Sequence, residues 1–152
     1  MTASQRIREV LKEYNTKGFT TTQPFSIGRN EARLKLFALN NHIALGSKSL
    51  YFTSKSIAHP NRKTKKNKGL AISNQDFEKF PTYRRKMDLF WDGDGFIYTD
   101  YSIKFIVKPN YEIKTAKKGK HTKEKKTCLI TAGVVTDPNE FKRKEYQRVP
   151  KN

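Results

Sequence analysis

Thr127-Cys-Leu-Ile-Thr-Ala-Gly-Val-Val135 is the most apolar stretch of the chain and reads as its most apolar strand. Upstream of it, Phe96 to Tyr98 and Ser102 to Val107 alternate in hydropathy behind the turn sequence Asp92-Gly-Asp-Gly95, which is the pattern of hairpin strands. Tyr111 to Thr115 is a candidate extension of the same sheet. Between it and Thr127 lies a lysine-rich segment too charged to pack, which predicts a flexible basic loop over 115–126.

The N-terminal half reads differently. Ile7, Val10, Leu11 and Tyr14 fall at helical spacing over residues 4–14, with Ser4 as a possible cap and Gly18 as the stop. Thr21 to Ile27 has strand composition, with Pro24 placing it at an edge or a break. Leu34 to Leu45 mixes periods of two and three, so strand and helix fit it equally, up to Gly46. Leu50 to Ser54 reads as a short strand. Ser73 with Asp76 signals a helix start, and Phe77 with Phe80 gives that helix one apolar stripe before Pro81. A further helical turn or two covers Tyr83 to Phe90. Asp137-Pro138 opens a last helix, with Phe141 and Tyr146 near one face. The prediction is an α+β domain: an N-terminal helical part packed on a mainly antiparallel sheet of about four to six strands. It divides into an N-terminal helix at 1–20, a core at 21–146 and a tail at 147–152.

At 152 residues and 17.7 kDa, a single domain buries about two-thirds of its unfolded surface and needs no disulfide or metal to do so. A 35% hydrophobic and 12% aromatic content excludes full disorder. The mean hydropathy of −0.84 and the lack of any apolar run near the ~20 residues of a bilayer span predict a soluble protein that does not engage a membrane. Met1 precedes a charged segment, so no secretory leader is expected, and cytoplasmic residence follows. The single cysteine, Cys128, fits a reducing compartment and reads as a core thiol.

Charge says most about partners. Thirty-two Lys and Arg against 14 Asp and Glu leave +18, with a pI near 10.1, so the chain attracts polyanions, nucleic acid first among them. The surplus is clustered. Five cations lie in Pro60 to Lys68, seven in Lys114 to Lys126 and five in Lys142 to Lys151. Arg62, Lys63, Lys65 and Lys68 in the first, and Lys117, Lys118, Lys120, His121, Lys123, Lys125 and Lys126 in the second, are the expected phosphate-binding groups.

Cleaving RNA without a metal requires removing the 2′-hydroxyl proton, protonating the departing oxygen and stabilising a phosphorane, which calls for a His or Glu among cations. Of the three histidines, His59 follows Ser54-Lys-Ser-Ile-Ala and precedes the first cationic cluster, so it reads as a proton-exchanging group or as a loop histidine bonded to backbone. His42, between apolar residues, reads as structural or as acting with Asn41. His121 reads as solvated, or as part of a loop that orders on RNA. Thr131 places a hydroxyl in an apolar strand where it needs a partner. Lys104 points either outward as a solvated charge or inward toward phosphate. Asp92, Asp94 and Gly95 match a fragment of a calcium loop but lack its distal Glu, so a turn is the better reading. Phosphate-cradling glycine loops are missing from the sequence, and no metal or other cofactor is expected.

The order Leu50-Tyr-Phe-Thr-Ser-Lys-Ser-Ile-Ala-His59, a basic stretch, Leu70-Ala-Ile-Ser-Asn-Gln-Asp-Phe-Glu-Lys-Phe-Pro81, a hairpin and a late Leu129-Ile-Thr131 strand resembles the phage-associated nucleases of the barnase, EndoU, colicin and RelE-like superfamily, over roughly residues 34–146. That resemblance implies a metal-independent RNase toxin with an N-terminal helical part on a four-stranded antiparallel sheet. Such an enzyme cleaves by transesterification to a 2′,3′-cyclic phosphate and a 5′-hydroxyl. It matches His59 to the family's histidine after the first strand and Thr131 to its small hydroxyl residue in the last. No second histidine or glutamate corresponds to the acid, which leaves Lys66 or Lys104 in that role, with Lys65 also near the charge. The expectation is therefore an endoribonuclease, restrained by an acidic immunity or antitoxin protein. The alternatives are a non-catalytic basic RNA- or DNA-binding protein and a small basic assembly protein.

Overall fold

The computed structural model describes residues 1–58, 72–117 and 119–151. Its elements run α1 (Ala3–Lys17), β1 (Phe25–Arg29), α2 (Ala32–Asn40), β2 (Ser49–Phe52), α3 (Ser54–Ala58), α4 (Asn74–Tyr83), β3 (Asp88–Trp91), β4 (Phe96–Thr99), β5 (Ile103–Lys117), β6 (Lys120–Val134) and β7 (Gln147–Arg148). The strands form one seven-stranded sheet in the order β1-β2-β6-β5-β4-β3-β7. All neighbours are antiparallel except β2 and β6, where Leu50, Tyr51 and Phe52 run parallel to Thr127, Cys128 and Leu129. The α+β class and the N-terminal helix are as the sequence predicts, and the mixed sheet exceeds the anticipated strand number by one short edge strand.

Local chemistry explains the boundaries. Thr2, not Ser4, caps α1: its hydroxyl accepts from the Gln5 amide while the Gln5 side chain accepts from the Thr2 amide, and Gly18 closes the helix at φ +80°. The ambiguous segment from Leu34 is helical, because Leu34 and Ala38 fall on one buried face. That helix ends without glycine, His42 taking the left-handed conformation at φ 56° while Ile43 donates to Ala38. Ser73 caps α4 by accepting from Asp76, as its position predicts. The helix then runs through Pro81, which sits in its last turn and leaves one backbone bond unmade.

Four other expectations are corrected. The first strand begins at Phe25 rather than Thr21. Ser54 starts α3 instead of ending β2, since Ser56 accepts from the Thr53 amide and donates to the Leu129 carbonyl. Only Arg84–Lys86 forms a helical turn between Tyr83 and Phe90, after which Leu89 and Phe90 alternate into β3. The expected helix after Asp137 is a single 3-10 turn, Glu140–Lys142. The 147–152 tail carries a short strand, in which Gln147 and Arg148 pair with Trp91 and Phe90.

The sheet separates two layers of packing. On the helix side, Ile7, Leu11, Leu34, Ile57, Phe77 and Phe80 bury against strand residues including Leu50, Phe52, Tyr98, Phe105 and Leu129. Phe80 stacks on Phe105 at 4.1 Å and meets Tyr98 edge-on at 5.6 Å. The opposite face is covered by the C-terminal segment, where Phe141 stacks on Phe90 at 5.0 Å beside Ile97. A buried ionic knot ties α2 to the end of α4. Arg33 pairs with Glu31 at 2.8 Å and donates to the Arg84 and Met87 carbonyls, while Arg84 donates to the carbonyls of Pro81 and Arg29. Gly28 makes room for it at φ +130°, since a Cβ there would stand 2.8 Å from Arg84 Nη2.

Candidate nucleic-acid interface

The second cationic segment is a β-ribbon, not a flexible loop. β5 and β6 stay in register to their tip, from Tyr111 opposite Lys126 through Thr115 opposite Thr122 to Lys117 opposite Lys120, with Gly119 at φ +77° in the turn. Tyr111, Ile113 and Thr115 supply the period-two pattern that holds a strand together among the lysines. Thr115 and Thr122 bridge hydroxyl to hydroxyl at 2.9 Å.

The ribbon bends at its base. The register shifts once between Ile106 and Val107 and again between Lys108 and Tyr111, and such bulges bend and twist a strand. Pro109, which has no N–H for the ladder, sits in the second shift. Its carbonyl accepts instead from Gly46 at 2.8 Å and from the Thr127 hydroxyl at 2.9 Å. The bend admits only glycine at 46, where a Cβ would stand 2.7 Å from the Lys126 amide. The Ser47 hydroxyl locks the other strand by accepting from the Thr127 amide at 2.9 Å. As a result Ile113 packs on Cys128 and Ile130, with Tyr51 and Tyr111 against them. The sheet-facing side of the ribbon is thereby a small apolar cluster rimmed by cations, Lys126 lying 4.9 Å from the Tyr51 ring centre.

The other side carries a row of exposed cations with one carboxylate, Glu112, among them. Alternation puts Glu112 and Lys114 on one face with Lys125, Lys123 and His121 of β6, and Lys114 stands directly opposite Lys123. Lys114, His121, Lys123 and Lys125 are all exposed, and the nearest carboxylate to Lys123, that of Glu112, is 3.9 Å away. Like charges directly opposite across a ribbon oppose its formation. An approaching polyanion reverses that effect.

The cations of the C-terminal segment are mostly compensated within the fold. Arg143 pairs with Asp137 at 2.7 Å, and Arg148 and Lys151 each lie 3.2 Å from Asp88. Burial pushes the Asp88 carboxyl up, but the Tyr101 hydroxyl, Lys151 and Arg148 together outweigh it and hold the group below its ordinary value.

Of the residues expected to act in catalysis, Lys104 and Thr131 are among the described residues, and His59 and Lys66 are not. Lys104 belongs to neither of its two expected environments: both Glu140 carboxylate oxygens lie 2.8 Å from its Nζ, and Glu140 also accepts from Tyr146 at 2.8 Å. That pairing gives Lys104 a structural role, tying the C-terminal cover to the sheet. Thr131 is half-buried opposite Ile106. His59, Arg62, Lys63, Lys65, Lys66, Lys68 and Lys118 lie outside the described residues. Lys117 and Lys120 pair near the ribbon tip, and Lys126 sits over the apolar cluster rather than on the open lysine face. Cys128 is fully buried and free, and burial pushes its thiol up to about 12. His42 is exposed rather than packed between its apolar neighbours.

Sequence reasoning passed over Lys55, Thr53 and Tyr111. Lys55 Nζ donates to the Tyr111 hydroxyl at 2.8 Å and lies 5.2 Å from the ring centre. The signal was the alternation of Tyr111 and Ile113 at the start of the lysine run. No helix of the described chain is long and apolar enough to cross a membrane, and no group of three His, Cys, Asp or Glu able to hold a metal ion occurs among the described residues. No family model matches the sequence, and neither curated proteins nor solved structures show a similar chain.

Proposed function

We propose that this protein binds nucleic acid, RNA before DNA, through the open lysine face of the β5–β6 ribbon. The observation that carries the reading is Lys114 directly opposite Lys123, flanked by Lys125 and His121, all exposed. A two-stranded ribbon bearing a row of cations is a device for gripping the sugar-phosphate backbone, since phosphate pairing gives affinity without sequence information. The net charge of +18 steers the encounter. Fluorescence anisotropy with a labelled RNA tests this. Affinity is expected to fall steeply with salt, and the Lys114→Glu, Lys123→Glu double variant to bind at least about tenfold more weakly with a shallower log-log slope, by about 0.7–0.9 for each phosphate that is no longer neutralised. Equal affinity and slope for both proteins would remove the ribbon from the interface.

Metal-independent endoribonuclease activity is a second reading; it keeps the N-terminal helix on a mainly antiparallel sheet, but that sheet has seven strands and one parallel pair where the nuclease resemblance implied four antiparallel strands. It rests on His59 and on a cation such as Lys66, because Lys104 is held by Glu140. Incubating the pure protein with RNA in EDTA separates the readings: cyclic phosphate ends that disappear in His59→Ala establish cleavage, and intact, shifted RNA establishes a binder.

A further inference from the structure

The bent ribbon leaves a groove of about 400 Å³ between its base and the segment leading into β1, walled by Gln23 on one side and Tyr111 and Lys114 on the other, with Thr53 and Lys55 between. That volume lies within the range of small-molecule sites, ~300–1,000 Å³. Three features of the groove converge on one ligand chemistry. Thr53 is only 6% exposed, and its hydroxyl has no hydrogen-bond partner among the described residues, so a donor is held in reserve beneath the groove. Lys55 places its ammonium at 2.8 Å from the Tyr111 hydroxyl, presenting an aromatic ring and a cation side by side. Lys114 belongs both to the groove and to the open lysine face, so a strand held on that face passes the groove mouth. Glu112 also lines the groove, and its carboxylate is the one 3.9 Å from Lys123.

We propose that this groove is a nucleotide subsite that takes one unpaired nucleotide of a bound single strand. In it the phosphate meets Lys55 and Lys114 and the base lies against the Tyr111 ring. The inference rests on the nucleic-acid reading and deepens it, since stacking on a protein ring requires an unstacked, unpaired base. A duplex keeps its bases inside and reaches only the open lysine face.

The test compares a single-stranded RNA of about 12 nucleotides with the duplex of the same length by anisotropy. Tyr111→Leu is expected to weaken single-strand binding about five- to a hundredfold, the range of one missing base stack, while duplex binding moves by less than about twofold. Tyr111→Phe keeps the ring and restores single-strand affinity, a result that a merely structural role of the hydroxyl pair would not give. Lys55→Gln, at an exposed position, weakens the single strand selectively, and it carries the test should Tyr111→Leu prove unfolded by circular dichroism. A 4-thiouridine oligonucleotide is expected to crosslink at Tyr111, located by mass spectrometry. Wild-type protein that binds RNA while the groove variants leave the single-strand to duplex ratio unchanged overturns the subsite and spares the ribbon reading. Wild-type protein that binds neither RNA overturns both.

Discussion

The two halves of the β5–β6 pair are the same two strands put to opposite uses. From Ile103 to Val107, opposite Leu129 to Val134, they bury side chains on both faces, Phe105 beneath Phe80 and Ile106 toward the C-terminal cover. From Tyr111 to Lys117, opposite Lys120 to Lys126, they keep only a small cluster at Ile113 and give the other face to lysines. The same two strands pair on both sides of the register shifts, so the difference lies in what the side chains meet. One half is held by burial. The other is held by its ladder, a threonine bridge and a clamped bend, and its lysines outnumber the two carboxylates, Glu112 and Glu124, that pair with Lys123 and Lys126, leaving an excess of positive charge for a polyanionic partner.

The largest contrast is in stability. Phe105→Ala, in the sheet half, is expected to cost about 3–5 kcal/mol in urea unfolding, whereas His121→Ala, in the ribbon half, stays within about 0.5 kcal/mol. Comparable losses would mean the ribbon is part of the core and would dissolve the distinction. Next, Glu140→Gln removes the charge that Lys104 and Tyr146 share, at an expected cost of about 1–3 kcal/mol, and unaltered RNA affinity. A selective loss of RNA binding would return Lys104 to the functional surface. Lys114→Glu sharpens the comparison from the other side, because it converts a like pair into an opposite one. It should raise stability by about 0.2–1 kcal/mol while lowering RNA affinity, and a variant both less stable and equally tight would contradict the division of labour.

Smaller effects appear at the acid limb. Burial pushes the Asp100 carboxyl up, but the Ile103 and Ser102 amides and the Tyr83 hydroxyl outweigh it and hold the group below its ordinary value of 3.8. A carboxyl depressed on folding contributes stability that is present above the unfolded value and is lost as pH falls through the folded one. The melting temperature of wild-type protein should therefore drop below about pH 4, and Asp100→Asn should flatten that drop. An unchanged profile would show that this turn carries no part of the acid sensitivity. The smallest perturbation is chemical: Cys128, its thiol pushed up to about 12 by burial, should resist a thiol reagent in native protein and react at once in guanidinium. Rapid native labelling would mean that the cluster joining the two halves opens readily.

The parts of the fold that could be read ahead of the structure were those announced by local chemistry. The Ser73 cap with Phe77 and Phe80, the helical spacing of Ile7, Val10 and Leu11, and the apolar run ending in β6 each act through neighbours in sequence. The lysine run hid its strand because charge dominates composition while the ordering pattern, Tyr111, Ile113 and Thr115, occupies only alternate positions. The cap at Thr2 was obscured by a second hydroxyl residue at Ser4. The fate of Lys104 depended on Glu140 and the groove on Gln23, Thr53 and Tyr111, partners far apart along the chain. Local pattern has no access to such meetings, and the register bulges that create the groove leave no signature beyond Pro109 and Gly46.

The one parallel pairing in the sheet has a consequence for how the chain reaches its native state. β2 has its residues 50–52 beside residues 127–129 of β6, so the antiparallel pair it makes with β1 across α2 cannot join the rest of the sheet until β6 has been synthesised. Closing so distant a pairing is slow compared with hairpin or helix formation. The Tyr51 and Phe52 edge must therefore wait, open, for the last third of the molecule to emerge.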